Sequence, residues 1–311
     1  MTQPETTRFA PSPTGGLHLG HACSALLAHT AARESGGRFL LRIEDIDAGR
    51  CRPEYTVQII DELKWLGIDC DGPVRIQSGH MADYRRVLAE LADRSLTYPC
   101  FCTRRDIADE IARMQSAPQG PEGPLYPGTC RTLDRHTRNV RLAGGTPHAI
   151  RLDIAACLRT LAAPLDGFLE TGHGPDGENG LIAPQPHLLG DIVLGRRDVG
   201  VSYHLAVVID DHDQGVTLVT RGEDLFAATH VQRLLQSVLG FSVPRYRHHP
   251  LVRDASGRRL AKRDQAQTLA ALRASGVSAA AIRTAVSLYS GHRESGSLQA
   301  LVSALVCDSG K

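Results

Sequence analysis

The sequence predicts an α/β protein: a parallel-sheet domain with an inserted smaller lobe and a short helical C-terminal portion. Three observations predict it. A strand–loop–helix–strand order opens the chain, two Pro/Gly-rich stretches interrupt its middle, and helical patterning returns near its end.

Thr7 to Ala10 suits a short strand. Pro11-Ser12-Pro13-Thr14-Gly15-Gly16 then forces a loop, because Pro and Gly interrupt regular backbone pairing. From Leu17 to about Glu34 the pattern is helical, and Gly36-Gly37 closes it. Arg38 to Ile43 (RFLLRI) reads as a buried strand. Pro53 starts a second helix, Ile59, Ile60, Leu63 and Leu66 share one of its faces, and Gly67 ends it. Residues 116–129 and 171–186 are the Pro/Gly-rich stretches, and they bracket an insertion. Asp191 to Leu194, Val201 to Ile209 and Thr217 to Thr220 are strand-like. A helix is expected from about Thr229 to Leu239, ended by Gly240. Thr268 can cap a helix through Ser275, and Ser278 another through Tyr289. The expected divisions are 1–99 and 188–240 for the two halves of the sheet domain, 100–187 for the inserted lobe, and 241–311 for a basic loop and helical stem-contact-like region.

A chain of 311 residues can bury a real core. No run of some twenty apolar residues exists, which argues against a membrane span. The start, MTQPETTRFA, has no signal-peptide pattern, so a cytoplasmic location is expected. Eight scattered cysteines do not form a disulfide framework. The formal net charge of +1 neither requires nor excludes a nucleic acid partner.

Two segments carry phosphate chemistry. In RFAPSPTGGLHLGH the small and Pro residues let a nucleotide approach the backbone, and the following helix N-terminus favours anions. His18 and His21, three apart, can donate hydrogen bonds to a phosphate, and Gly20 leaves room for base or ribose. The second segment is Arg258-Arg259-Leu260-Ala261-Lys262-Arg263, in which Lys262 can meet triphosphate oxygens. Alone, the first segment reads more often as an ordinary loop and the second as a solvated charge run.

Together the segments resemble the two ATP signatures of class I aminoacyl-tRNA synthetases. RFAPSPTGGLHLGH with GGRFLLRIEDIDAGR, and SYHLAVVIDDHDQGVTLVTRGEDL, resemble the glutamyl-tRNA synthetase family, over roughly 7–70 and 188–265. The resemblance implies a Rossmann-like catalytic fold. It also implies that His18, Gly20, His21, Arg259, Leu260 and Lys262 serve Mg²⁺-bound ATP, with His18, His21 and Lys262 catalytic. For L-glutamate it implies Arg8, Phe9, Ala10, Pro11, Ser12, Glu44, Tyr203 and Arg221. Arg8 and Arg221 would clamp carboxylates, with Arg221 on the side chain, and Glu44 would take the ammonium. Arg8 with Glu44 could instead form a structural ion pair. Arg259 and Ala261 depart from the family's usual Lys and Ser, and Val207 stands where an Asn is expected.

Cys100-Phe101-Cys102 and Cys130 offer three thiolates across a Pro/Gly loop, suiting one structural Zn²⁺ or simply free thiols. Similar short family members add a Tyr, here Tyr126, as the fourth ligand; His136 or water is the other choice. About fifty residues follow Lys262, too few for the family's usual anticodon-reading region. The chain thus looks like the family's truncated paralogues. That resemblance implies transfer of activated glutamate to queuosine at the wobble position of tRNA(Asp), by a monomer without membrane partners. The alternatives are a truncated enzyme charging a tRNA 3′ end, a non-enzymatic tRNA- or amino-acid-binding regulator, or another nucleotidyltransferase.

Overall fold

The computed structural model describes residues 3–114, 119–121, 123–198, 200–252, 268–291, 298 and 300–302. β1 (Thr6–Phe9), α1 (Leu19–Glu34), β2 (Arg38–Ile43) and α2 (Pro53–Trp65) follow the expected order, and β3 (Arg75–Ile76) extends the sheet. β1 pairs with β2, and β2 with β3, all in parallel. Pro53 occupies the first turn of α2, where its missing N–H costs nothing.

α3 (Met81–Asp93) leads to β4 (Thr97–Cys100), then α4 (Arg104–Arg113). The two-residue strands β5 (Gln119–Gly120) and β6 (Gly123–Pro124), α5 (Arg135–Ala143), β7 (Ala149–Leu152) and α6 (Ile154–Thr160) follow. β8 (Phe168–Glu170) and β9 (Gly180–Ile182) form a hairpin. β10 (Val193–Gly195) closes a small antiparallel sheet with β7 and β4. Residues 168–182, within the span expected as an inserted lobe, run into the second half of the main sheet, since β8 pairs in parallel with β12.

The second half comprises α7 (Tyr203–Asp213), β11 (Leu218–Gly222), α8 (Phe226–Leu239) and β12 (Arg245–His249). α8 ends at Gly240 in the left-handed conformation, as expected of a glycine there. β11 and β12 are parallel. Thr217 N donates to Thr6 O at 2.9 Å, and Thr6 N to Thr217 Oγ1 at 2.9 Å, which joins β11 to β1. The chain leaves β1 through α1 towards β2, and leaves β11 through α8 towards β12. The two connections diverge from adjacent strands, and a crevice opens at their carboxyl ends. α9 (Leu269–Ala274), capped by Thr268, and α10 (Ala279–Gly291) follow.

One reading of the sequence is overturned. Residues 201–209 form no strand: Ser202 precedes α7, which is helical from Tyr203. Leu205 to Asp211 are all buried, and α7 packs against α3, α8 and β10. A helix covered on every side has no polar stripe, so its apolar, β-branched run cannot be told from a buried strand. Among the described residues no helix is long and apolar enough to cross a membrane.

Candidate functional site

The crevice is a cleft of about 490 Å³, within the range of small-molecule sites. Arg8, Phe9, Ala10, Pro11, Ser12, His18, Gly20, His21, Glu44, Tyr203 and Arg221 all line it. Lys262, with Arg259 and Leu260, lies outside the described residues. Both flanks of that segment are nevertheless fixed at the cleft. Val252 lines it and belongs to the same apolar cluster as Leu17; Leu269 N donates to Leu17 O at 2.8 Å, and Thr268 bridges His18.

The nucleotide-type loop is held by backbone bonds. Glu44 N donates to Pro11 O and Arg52 N to Pro13 O, each at 3.0 Å. Buried Glu62 accepts from Leu17 N at 3.0 Å. α1 begins two residues later than expected, so His18 is its N-cap rather than part of its first turn. His18 Nδ1 accepts from Gly20 N at 3.1 Å, and His21 Nδ1 accepts from His18 N at 3.2 Å. A backbone N–H only donates, so each neutral ring carries its proton on Nε2. The rings stack 3.8 Å apart. A Cβ on Gly20 would sit 3.0 Å from the His18 ring, so glycine there protects the cap.

Across the cleft, charge is packed into a largely buried network. Arg8 Nε donates to Asp211 Oδ1 at 3.0 Å, and Arg42 Nη1 donates to the same oxygen at 2.8 Å. Fully buried Arg42 also pairs with Glu44 at 3.3 Å and Asp210 at 3.5 Å. Asp210 accepts from Arg75, Gln77 and Tyr84 at 2.7, 2.7 and 2.8 Å. Burial alone would raise the Asp211 carboxyl, but Arg8 and Arg42 hold it below the usual range. Burial raises Glu44, and Arg42 and Arg8 offset this only in part. The Arg8–Glu44 ion pair considered from sequence is therefore replaced by Arg8–Asp211 and Arg42–Glu44.

Arg221 is held differently. Its Nε donates to His248 Nε2 at 3.1 Å, Nη1 to Gln232 Oε1 at 2.9 Å and Tyr203 Oη at 3.4 Å, and Nη2 to Thr229 Oγ1 at 2.6 Å. All four acceptors are uncharged. Among the described residues no carboxylate is paired with this guanidinium, which is 5% exposed. Sequence reasoning missed Arg42, Asp210, Asp211, Thr229, Gln232 and His248. The Asp210-Asp211 pair after an apolar run was the available signal, since adjacent carboxylates beside buried residues call for cations. Val207 is 1% exposed in an apolar cluster and is not among the cleft-lining residues, so an Asn there would have to bury its amide.

The cysteines gather elsewhere. The sulfurs of Cys100, Cys102 and Cys130 lie within 4.8 Å of one another. Tyr126 Oη is 3.5 Å from Cys100 Sγ and 3.8 Å from Cys102 Sγ, and Cys102 and Cys130 sulfurs are 3.4 Å apart. Zinc–thiolate bonds of about 2.3 Å place tetrahedral sulfurs roughly 3.8 Å apart, so the donors fit. Burial and neighbouring Cys130 push the Cys102 thiol up to about 12, so ionising it there calls for a cation. His136 is exposed on α5 and lies outside this group among the described residues.

Residues 5–297 match the family model described as tRNA synthetases class I (E and Q), catalytic domain. The chain is 51% identical to the glutamyl-Q tRNA(Asp) synthetase of Rhodobacter capsulatus, over 91% of this chain and 99% of that one. It is 42% identical to the protein of that name from Nitratidesulfovibrio vulgaris, over 91% and 86%. Its fold matches the crystal structure of a glutamate tRNA ligase from Elizabethkingia meningosepticum with a TM-score of 0.74 at 26% identity. That match covers 96% of this chain but 64% of the ligase, so the chain spans a little under two thirds of the longer protein. By this match over most of its length, the chain belongs to the class I glutamyl and glutaminyl tRNA synthetase family, in its catalytic domain.

Proposed function

We propose that the chain activates glutamate with ATP and transfers it to queuosine at the wobble position of tRNA(Asp), the chemistry for which its relatives are named. The observation that carries the amino acid's identity is Arg221: a buried cation facing the cleft with only neutral acceptors around it. A buried charge without a counter-ion is costly, and a substrate side-chain carboxylate offsets that cost. Glu44 and Tyr203 line the same cleft and supply an anion for the ammonium and a hydroxyl for orientation. Glutamine would leave the guanidinium without its counter-charge.

In the first step the glutamate α-carboxylate oxygen attacks the α-phosphorus of ATP, and pyrophosphate leaves. His18 and His21, with protons held on Nε2, donate to the oxygens that gain charge. Lys262 would join them; the described residues on either side of its segment, Val252 and Thr268, stand at the cleft and beside His18. Mg²⁺ accompanies ATP and neutralises phosphate charge. In the second step a hydroxyl of the modified nucleoside attacks the acyl carbon, AMP leaves with the electron pair of the broken bond, and the leaving phosphate oxygen takes the hydroxyl proton. Cys100, Cys102, Cys130 and Tyr126 would hold one structural zinc, tying residues 126–130 to β4.

Arg221→Ala is expected to raise the glutamate KM in pyrophosphate exchange about 100-fold, and the ATP KM by less than about 3-fold. Equal effects on both substrates would remove Arg221 from the specificity role.

A further inference from the structure

Arg8 and Arg221 face one cleft, yet a carboxylate touches only the first of them among the described residues. Behind Arg221 the carboxylate is one imidazole further away. Glu170 Oε2 lies 2.6 Å from His248 Nδ1, and His248 Nε2 lies 3.1 Å from Arg221 Nε. The guanidinium N–H can only donate, so His248 Nε2 accepts and its Nδ1–H donates to Glu170. Glu170 is fixed in turn: its Oε1 accepts from His248 N at 3.0 Å and Gly172 N at 2.7 Å. His248 and Glu170 are 2% and 1% exposed, so no solvent screens the arrangement. The other contacts of Arg221 are uncharged as well: Thr229, Gln232, Tyr203 and the Tyr246 ring, 5.4 Å away.

We propose that His248 and Glu170 are positioning residues that set specificity for an acidic over an amide side chain. The neutral imidazole fixes the plane of the guanidinium without cancelling its charge. Glu170 fixes the tautomer that makes the imidazole an acceptor. A carboxylate placed directly on Arg221 would hold the plane equally well but satisfy the charge internally, as Asp211 does for Arg8. The cleft would then have little reason to prefer glutamate to glutamine. This inference rests on the reading that Arg221 meets the substrate side chain.

The test compares glutamate, glutamine and ATP KM values in pyrophosphate exchange. His248→Leu, which removes the acceptor, is expected to raise the glutamate KM about 30-fold, and His248→Gln, which restores one, to recover most of that loss. The double variant His248→Glu/Glu170→Gln keeps the net charge of the pair and moves the carboxylate onto Arg221. It is expected to raise the glutamate KM about 30-fold or more while the ATP KM moves less than about 3-fold, narrowing the preference for glutamate. The proposal is overturned if the double variant keeps the wild-type preference, or if Leu and Gln at 248 behave alike. The Leu/Gln pair keeps the test decisive should the double variant not fold. Arg221→Ala separates the two levels: if it leaves the glutamate KM unchanged, the pocket reading fails before this inference is reached.

Discussion

Replacing Asp211 with Asn isolates the charge that assembles the amino-acid side of the cleft. One oxygen of Asp211 accepts from both Arg8 and Arg42, at 3.0 and 2.8 Å, in a region where Arg42 is fully buried. Glu44, Asp210 and Asp211 there face Arg8, Arg42 and Arg75. The amide keeps an acceptor oxygen but removes the negative charge from two bonds whose guanidinium donors stay charged, at a cost of about 1 to 1.5 kcal/mol each. It also leaves an uncompensated positive charge in the interior, so the total destabilisation is about 3 kcal/mol. For a chain of this size that lowers Tm by roughly 5 °C. Asp213→Asn is the matched control, because its carboxylate is 40% exposed and among the described residues pairs only with Arg75; its loss should stay within about 0.5 kcal/mol. The assay is thermal and urea unfolding of both variants near pH 7. The lowered Asp211 carboxyl adds a sign to the result. Its contribution is complete above the ordinary aspartate value of 3.8 and is lost as pH falls through the lower folded value. Wild type and Asp211→Asn should therefore converge in stability only in strong acid. Should Asp211→Asn melt within about 1 °C of Asp213→Asn at neutral pH, the network does not hold the site together.

Other outcomes follow from the same geometry. Protein purified without chelator should carry one zinc per chain by elemental analysis, and Cys130→Ser should lose it; a metal-free wild type would contradict the thiol site. Burial raises the Glu44 carboxyl above the ordinary 4.5, so glutamate affinity should begin to weaken at a higher pH than an ordinary glutamate would dictate, because a protonated Glu44 no longer attracts the ammonium. Glu44→Gln should bind weakly at all pH values and flatten that profile, and an unchanged slope would assign the titration elsewhere.

What the sequence made legible depended on how local the cause was. β2, the Pro53 start of α2, the Gly240 end of α8 and the Thr268 cap each follow from a few neighbouring residues. The cleft-lining set Arg8 to Ser12, His18, His21, Glu44, Tyr203 and Arg221 was reachable because its members sit in recognisable strings. α7 was read as a strand because burial on all sides removes the polar stripe that distinguishes the two periodicities. The supporting charges were invisible for another reason. Asp211 meets Arg8 across 203 positions and Glu170 meets His248 across 78, and nothing local in either residue names its partner. Glu170 also lay in a stretch assigned to the inserted lobe, whereas β8 joins β12 through long-range pairing.

The measurement that bears most directly on the function is charging with labelled glutamate and ATP of two otherwise identical tRNA(Asp) samples, one with queuosine and one without, followed by mapping of the labelled nucleotide. Label confined to the wobble nucleoside of the queuosine-bearing sample is the predicted result. Equal labelling of both samples at the 3′ end would contradict it.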